Sequence, residues 1–454
     1  TLTHDELVRR AAAVAERLRS TGHRPGDRVA IVAERGWEQV VAVVGVLLAG
    51  GAYVPVDVAQ PRIRRDTVLA DAGIRQVLTP RALVGAPADW PTGVERIAVD
   101  ALEPAATRPT PDAGRDGVDP ADPAYVIYTS GSTGTPKGAI LSHHAAHNTL
   151  VDVRERFGVG PDDRVLALAG LGFDLSVFDV LGVLGAGGAM VLPDPRRRDD
   201  PSHWAALIAR HRVTLWNSVP AQARMLQDYR DAVAATGGPT GDDGPSTLRL
   251  ALLSGDWIPV TLPDAMRAGH PELTVVSLGG ATEAAIWSVH HVIGEVDRLR
   301  PSIPYGTPLR GQRLAVVDHL GRDRPEGVPG EILIRGAGVA LGYLGDAERT
   351  RARFGVDPAT GDREYRTGDI GRYLPDGSIE LLGRKDAQVK IRGYRIELAE
   401  IQAAVLAHPG VADCAVQVAE GAAGRHLVGI VQPERIAPVE APEDPAPGDA
   451  ARAA

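Results

Sequence analysis

Helical and strand periodicities alternate through the first two-thirds of this chain, and few architectures accept such alternation. Glu6–Leu18 has the spacing of an amphipathic helix and Arg28–Val32 reads as a buried strand. Trp37–Leu48 reads as a helix stopped by Gly50 and Gly51. The series continues with a strand at Tyr125–Tyr128, a helix over Ser176–Gly185 and a strand at Ala189–Leu192. A helix at Trp204–His211 then leads to strands at Thr214–Ser218, Leu248–Leu253 and Leu273–Leu278. Alternation of this kind implies mostly parallel sheets wrapped by helices, whose ligands sit at the carboxyl ends of strands. From about Pro304 the pattern changes to short strands and glycine turns: Leu314–Asp318, Gly330–Arg335 and a hairpin over Gly371–Gly383. After Asp386 comes a small unit: strand Gln388–Arg392, helix Leu398–Leu406, and strands near Cys414–Val418 and His426–Val431.

At 454 residues the chain exceeds one hydrophobic core. The expected fold class is α/β, with a large N-terminal domain of helix-wrapped sheets and a small β-barrel-like part, then a small α+β C-terminal subdomain. The expected division is 1–385 for the large unit, 386–436 for a partial small one, and 437–454 for a disordered tail rich in Pro and Ala. The Gly/Pro/Asp-rich stretch Thr236–Ser246 reads as a mobile loop.

Composition excludes several classes. Net charge is −9, with no basic block interleaved with aromatics, so no nucleic-acid partner is expected. The single cysteine, Cys414, excludes a disulfide framework and a Cys-based zinc site, and reads as strand packing. No apolar run reaches membrane-spanning length, and the chain opens at Thr1 with no Met and no signal-peptide pattern. A cytoplasmic piece of a longer protein is the expectation.

Lysine occurs three times (Lys137, Lys385, Lys390) and asparagine twice (Asn148, Asn217), so these residues stand out against an Arg-, Ala- and Gly-rich background. Lys137 ends the run Tyr128-Thr-Ser-Gly-Ser-Thr-Gly-Thr-Pro-Lys137-Gly138. Glycines let backbone N–H groups converge on phosphate oxygens, hydroxyls add donors, and the lysine adds charge. It is not a Walker A loop, which needs Gly-Lys-Ser/Thr.

This run resembles the phosphate loop of the adenylate-forming superfamily, and the whole resembles an amino-acid adenylation domain of a nonribosomal peptide synthetase. Matching segments follow in order: Leu47–Val56, Phe173-Asp-Leu-Ser-Val-Phe-Asp179, Gly280-Ala-Thr-Glu283, Gly330–Gly336, Gly338–Tyr343, Tyr365-Arg-Thr-Gly-Asp369 and Gly383–Gly393. The resemblance implies ATP and Mg²⁺ as cofactors and a small amino acid as substrate. It also implies a carrier-protein domain whose phosphopantetheine thiol receives the acyl group.

By the same resemblance Lys137, Glu283 and Thr282 take catalytic positions, with Glu283 on the metal. ATP contacts fall on Thr129, Ser130, Gly131, Ser132, Thr133, Gly134, Gly255, Gly279, Gly280, Ala281, Thr282, Asp369 and Arg384. Asp369 would hold the ribose hydroxyls. Asp386 would be the hinge, and Lys390 would belong to the thioester-forming arrangement. The substrate pocket would comprise Asp174, Leu175, Phe178, Asn217, Leu252, Ser254, Leu278, Ile286 and Trp287. Asp174 suits an α-ammonium group, Phe178 and Trp287 shorten the cavity, and Asn217 and Ser254 offer polar contacts. The pattern resembles the family's cysteine-activating members, with serine or an α-methylated serine as the alternative guest.

Two departures from the family are visible. The chain reads Gly279-Gly-Ala-Thr-Glu283 where most members have Tyr-Gly-Pro-Thr-Glu, so the aromatic that lies against adenine is missing. The final Gly-Lys motif of the small subdomain does not occur either, which implies slow adenylation by this chain. An inserted tailoring domain, a truncation or a degenerate non-catalytic module all account for that second departure. A neighbouring condensation or cyclisation domain and an MbtH-like helper protein are further partners that the resemblance allows. An acyl-CoA or aryl-acid ligase is the rival within the superfamily, and Asp174 argues against it. The pairs His143–His144 and His290–His291 read as packing or surface residues of strands or loops.

Overall fold

A computed structural model describes residues 1–85, 90–110, 117–130, 136–237, 247–300, 302–386, 388–391, 394–421 and 424–434. The stretch 238–246, the tail from 435 and positions 131–134 of the Gly/Ser run lie outside the described residues.

The first helix spans His4–Ser20, longer than its periodicity implied. Thr3 caps it reciprocally: its hydroxyl accepts from the Glu6 amide at 3.2 Å, and the Glu6 carboxylate accepts from the Thr3 amide at 2.9 Å. One face, Ala11, Val14, Ala15 and Leu18, is buried against the apolar helix Trp37–Leu48. That second helix packs on the first of two seven-stranded sheets.

In spatial order the first sheet runs Gly342–Tyr343, Lys137–Ser142, Pro123–Thr129, Ala52–Val56, Arg28–Val32, Gln76–Thr79 and Glu95–Ala98. The inner pairs are parallel, as alternation demands. Pro123–Thr129 and Lys137–Ser142, however, are antiparallel neighbours, with Thr129 opposite Lys137. The Gly/Ser run therefore joins the two arms of a hairpin, and Lys137 begins a strand.

The second sheet runs Thr307–Pro308, Val289–Val292, Thr274–Gly279, Leu250–Leu253, Leu215–Ser218, Arg164–Ala167 and Ala189–Val191. Its central strands are parallel and fully or almost fully buried, which explains their unbroken apolar sequences. One continuous core fills the space between the two sheets, with Val29, Tyr53 and Tyr125 from one and Leu215, Leu250 and Val276 from the other. Each such buried aliphatic contributes about 1.5–3 kcal/mol by leaving water.

The helix expected over Ser176–Gly185 takes another form. A single turn at Leu175–Val177 continues as a π-helix over Phe178–Val183. Gly182 leaves room there for the Phe178 ring, which a side chain at that position would meet at 2.7 Å. His143 and His144 also depart from expectation: they open a helix, His143–Arg156, which Ser142 caps. The β-rich part is a sheet of Gln312–Val317, Gly330–Gly336, Arg363–Tyr373 and Phe354–Val356, with Ile379–Arg384 on its long strand.

Beyond Asp386 the chain forms a hairpin of Gln388–Ile391 and Tyr394–Glu397, the helix Leu398–Leu406, and a second hairpin of Val411–Gly421 and Gly424–Pro433. Cys414 is buried in that last hairpin. Arg64 and Glu400 form an ion pair between the first sheet's flank and this small part. Among the described residues no helix is long and apolar enough to cross a membrane.

Candidate active site

The carboxyl ends of the second sheet's parallel strands converge on one cleft. Ser254 and Gly255 follow the strand Leu250–Leu253, and Gly280, Ala281 and Thr282 follow Thr274–Gly279. Asp174 and Leu175 arrive from the turn after Arg164–Ala167. Asp369, Arg384 and Lys390 come from the β-rich part and the strand beyond Asp386.

At one end Asp174 is only 7% exposed and accepts a hydrogen bond from the Thr282 hydroxyl at 2.7 Å. Burial, reinforced by the Asp174 charge, pushes the Tyr53 and Tyr125 hydroxyls above their ordinary pKa. A buried carboxylate that lines a cleft can pair with a cationic group of a guest.

The wall beside it is aromatic. Trp287 packs on Phe178 with ring centroids 5.2 Å apart, and its indole N–H donates to the Ser254 hydroxyl at 3.0 Å. Ala285 and Ile286 hold φ of +54° and +73° to bring this wall round. Non-glycine residues in that region cost of order 1–3 kcal/mol each and cluster at functional sites.

Five of the nine expected pocket residues line the cleft: Asp174, Leu175, Ser254, Ile286 and Trp287. Phe178, Asn217, Leu252 and Leu278 stand behind them in the core. The NH₂ of Asn217 is taken up within the protein: it donates to the Leu175 carbonyl at 3.2 Å and to Asp179 Oδ1 at 2.8 Å. Burial pushes Asp179 up to about 8, so it is largely a protonated acid at neutral pH.

In a second cluster Glu283, wholly buried, pairs with Lys137 at 3.2 Å and accepts from the Tyr343 hydroxyl at 2.8 Å. Lys137 also lies 4.8 Å from the Tyr343 ring centroid. Tyr343 reaches this point because Gly342–Tyr343 pairs with the strand that Lys137 begins. Its segment had been noted in the sequence, but only the pairing shows that it bridges the two charges. Thr129 and Ser130 stand at the end of the neighbouring strand, and the Thr129 hydroxyl is buried with no hydrogen-bond partner among the described residues. Positions 131–134 lie outside the described residues.

A third cluster surrounds Asp369. Arg384, opposite it in the strand ladder, donates to its carboxylate at 2.6 Å. The same guanidinium donates to both oxygens of Asp386, at 2.7 and 2.8 Å. Burial raises the Asp386 carboxyl, but Arg384 and the Gln388 amide more than offset that and hold it below its ordinary value. One arginine thus ties the expected ribose contact to the expected hinge. Lys390 lines the cleft from the strand just beyond. Tyr365 and Thr367 also line it, within a motif from which only Asp369 had been singled out.

Comparisons with known proteins place the chain in a family. The AMP-binding enzyme family model matches residues 1–344. Pyochelin synthetase PchF of Pseudomonas aeruginosa is 51% identical, over 98% of this chain and 24% of its own length. The chain therefore spans about a quarter of that relative. The FmoA3 nonribosomal peptide synthetase, solved in an α-methyl-L-serine-AMP bound form, is 45% identical at a TM-score of 0.78. That match covers 88% of this chain and 43% of FmoA3. Holo-PA1221, a protein with adenylation and PCP domains bound to a vinylsulfonamide inhibitor, is 27% identical at a TM-score of 0.82. It is matched over 94% of this chain and 72% of its own. Family model, relatives and fold converge, and the chain belongs to the AMP-binding enzymes, as an AMP-binding domain of the nonribosomal peptide synthetase adenylation type.

Proposed function

We propose that this domain activates a small amino acid, with L-cysteine the best fit, forming aminoacyl-AMP and pyrophosphate from ATP. The acyl group then passes to the phosphopantetheine thiol of a carrier-protein domain. The observation that carries the reading is Asp174. A buried carboxylate held by Thr282, beside a wall of Trp287 on Phe178, matches an α-ammonium group with a short side chain. An acyl or aryl acid has no ammonium group to set against that carboxylate.

In the reaction a carboxylate oxygen of the amino acid bonds to the α-phosphorus. The bond from that phosphorus to the bridging oxygen breaks, and pyrophosphate leaves with the electron pair. No proton need move, so the protein's task is to place charge. Asp174 would orient the amino group. Thr129, Ser130, the segment 131–134 and Lys137 would hold the phosphates. Gly255, Gly279, Gly280, Ala281 and Thr282 would line the nucleotide's path, and Asp369 would hold the ribose beside Arg384.

Mg²⁺ suits the donor set. Among the described residues no group of three or more His, Cys, Asp or Glu could cage a metal, whereas Glu283 is a single buried oxygen donor. Mg²⁺ is commonly bound by one or two carboxylates with phosphate oxygens and water. When bound it would neutralise phosphate charge. The position of Lys390 in the cleft supports a role when the strand after the hinge faces the site. The carrier partner is supported by a similar protein that contains adenylation and PCP domains.

Serine or α-methyl-serine is the second reading, favoured by the adenylate bound to FmoA3. Thermal denaturation with non-hydrolysable adenylate analogues of cysteine, serine, alanine and phenylalanine separates them. At one hundred times Kd a ligand stabilises by about 2.7 kcal/mol, a rise of several degrees in Tm. The largest rise is expected for the cysteine analogue. A larger one for serine overturns the substrate, and no rise with any of the four overturns the adenylation reading.

A further inference from the structure

Gly279 ends a core strand at the rim of the cleft, and the space where its side chain would stand is already filled. A Cβ there would lie 1.9 Å from Cε2 and 2.5 Å from Cδ2 of Tyr305. Tyr305 comes from a different segment, between strands Val289–Val292 and Thr307–Pro308. Both of its ends are tied: the backbone N–H donates to the Ile379 carbonyl at 2.9 Å, and the hydroxyl to the Gly280 carbonyl at 3.3 Å. Position and orientation of the ring are therefore fixed.

The ring borders a second cavity, of about 430 Å³, that shares Gly255, Gly280 and Lys390 with the main cleft. Ile258 and Leu381 line this annex with the ring, beside the polar Asp256, Ser277 and Ser302. The annex adjoins Asp369: burial, and then the Asp369 charge, raise the Tyr305 hydroxyl above its ordinary pKa. A fixed aromatic ring with aliphatic and polar neighbours, beside a carboxylate suited to ribose hydroxyls, has the chemistry of a purine site.

We infer that Tyr305 supplies the aromatic surface against which the adenine ring packs, in the place of the side chain that Gly279 lacks. Gly279 and Tyr305 act as a reciprocal pair, since a large residue at either position excludes one at the other. The inference rests on the adenylation reading, so its test separates the two.

The probes are a cysteinyl sulfamoyl-adenosine and its counterpart with the same acyl-sulfamoyl-ribose but no base, titrated calorimetrically onto this chain and its variants. Tyr305→Ala is expected to weaken the adenosine compound about ten-fold, the scale of one base stacked on one aromatic ring, and to leave the baseless compound unchanged. Tyr305→Leu, which fills the space without a ring, is expected to show the same split. Tyr305→Phe keeps affinity within a factor of about three, since the ring and not the hydroxyl carries the contact. Gly279→Tyr combined with Tyr305→Ala is expected to regain most of the loss.

Equal weakening of both compounds, or no weakening of either, overturns the assignment of Tyr305 while leaving adenylation intact. Failure of the unaltered chain to bind the adenosine compound overturns the adenylation reading itself and this inference with it.

Discussion

The two ends of the cleft are made of different material. The proposed amino-acid end is cut into the core: Phe178, Leu252 and Trp287 are no more than 1% exposed and belong to the cluster that holds the two large sheets together. The proposed nucleotide end is held by charge, through the Asp369–Arg384–Asp386 chain. The part beyond it buries little, since the helix Leu398–Leu406 has no buried residue and Ile430 is 57% exposed. A pocket that shares its walls with the core can reject a guest through packing, which relaxes only partially. A site held by polar contacts at a hinge can be made and unmade without unfolding anything.

Damage to the two ends should therefore look different. Trp287→Ala is expected to cost about 3–5 kcal/mol of stability, measured by denaturant unfolding, and to abolish discrimination among the four adenylate analogues. Stability close to that of the unaltered chain would show that the wall is not part of the core. Between the two ends, Lys137→Met strips Glu283 of its buried counter-ion and should cost about 3 kcal/mol. Pairing it with Glu283→Gln should restore a large share, because no uncompensated charge then remains.

At the nucleotide end Arg384→Ala should cost only about 1–2 kcal/mol of stability, the scale of charge-assisted hydrogen bonds at a partly exposed site. It should weaken the adenosine compound more than ten-fold. A stability loss as large as that of Trp287→Ala would erase the distinction between the ends.

Asp179 sharpens the comparison through pH. Its folded pKa of about 8 exceeds the ordinary 3.8, so between those values the folded state keeps a proton that the unfolded chain releases. Its contribution is greatest below about pH 4 and is lost as pH rises toward 8. Asp179→Asn should gain on the unaltered chain as pH rises from 5 to 8, by more than about 1 kcal/mol. Melting temperatures at the two pH values check this. The smallest effect belongs to the ion pair of Arg64 with Glu400. Its removal by Arg64→Ala should change stability by less than about 1 kcal/mol while making protease cleavage near Asp386 faster.

The sequence made the parallel core legible because strands buried on both faces read as plain apolar runs, as in Arg28–Val32 and Leu250–Leu253. Amphipathic or mixed helices without a strong stripe, such as Arg62–Asp71 and Pro220–Ala235, passed unnoticed. The π-helical turn at Phe178–Val183 has no periodic signature that distinguishes it from an ordinary helix. In the site, the charged residues could be named from their motifs, but not their contacts. Tyr343 bridges Lys137 and Glu283 only because two distant segments pair as strands. Asn217, expected to offer polar contacts to the guest, gives its NH₂ to one oxygen of Asp179, since a buried acid claims the nearest amide donor. Tyr305 was invisible for the same reason: its place beside Gly279 is a property of the fold.

The central claim is that Asp174 makes this an amino-acid site. Calorimetric titration of cysteinyl sulfamoyl-adenosine against its des-amino counterpart, the 3-mercaptopropionyl compound, tests that most directly. A buried, hydrogen-bonded charge pair predicts that losing the amino group weakens binding at least thirty-fold, about 2 kcal/mol or more. It predicts further that Asp174→Ala removes the difference between the two compounds. Equal affinity of the unaltered chain for both would contradict the account.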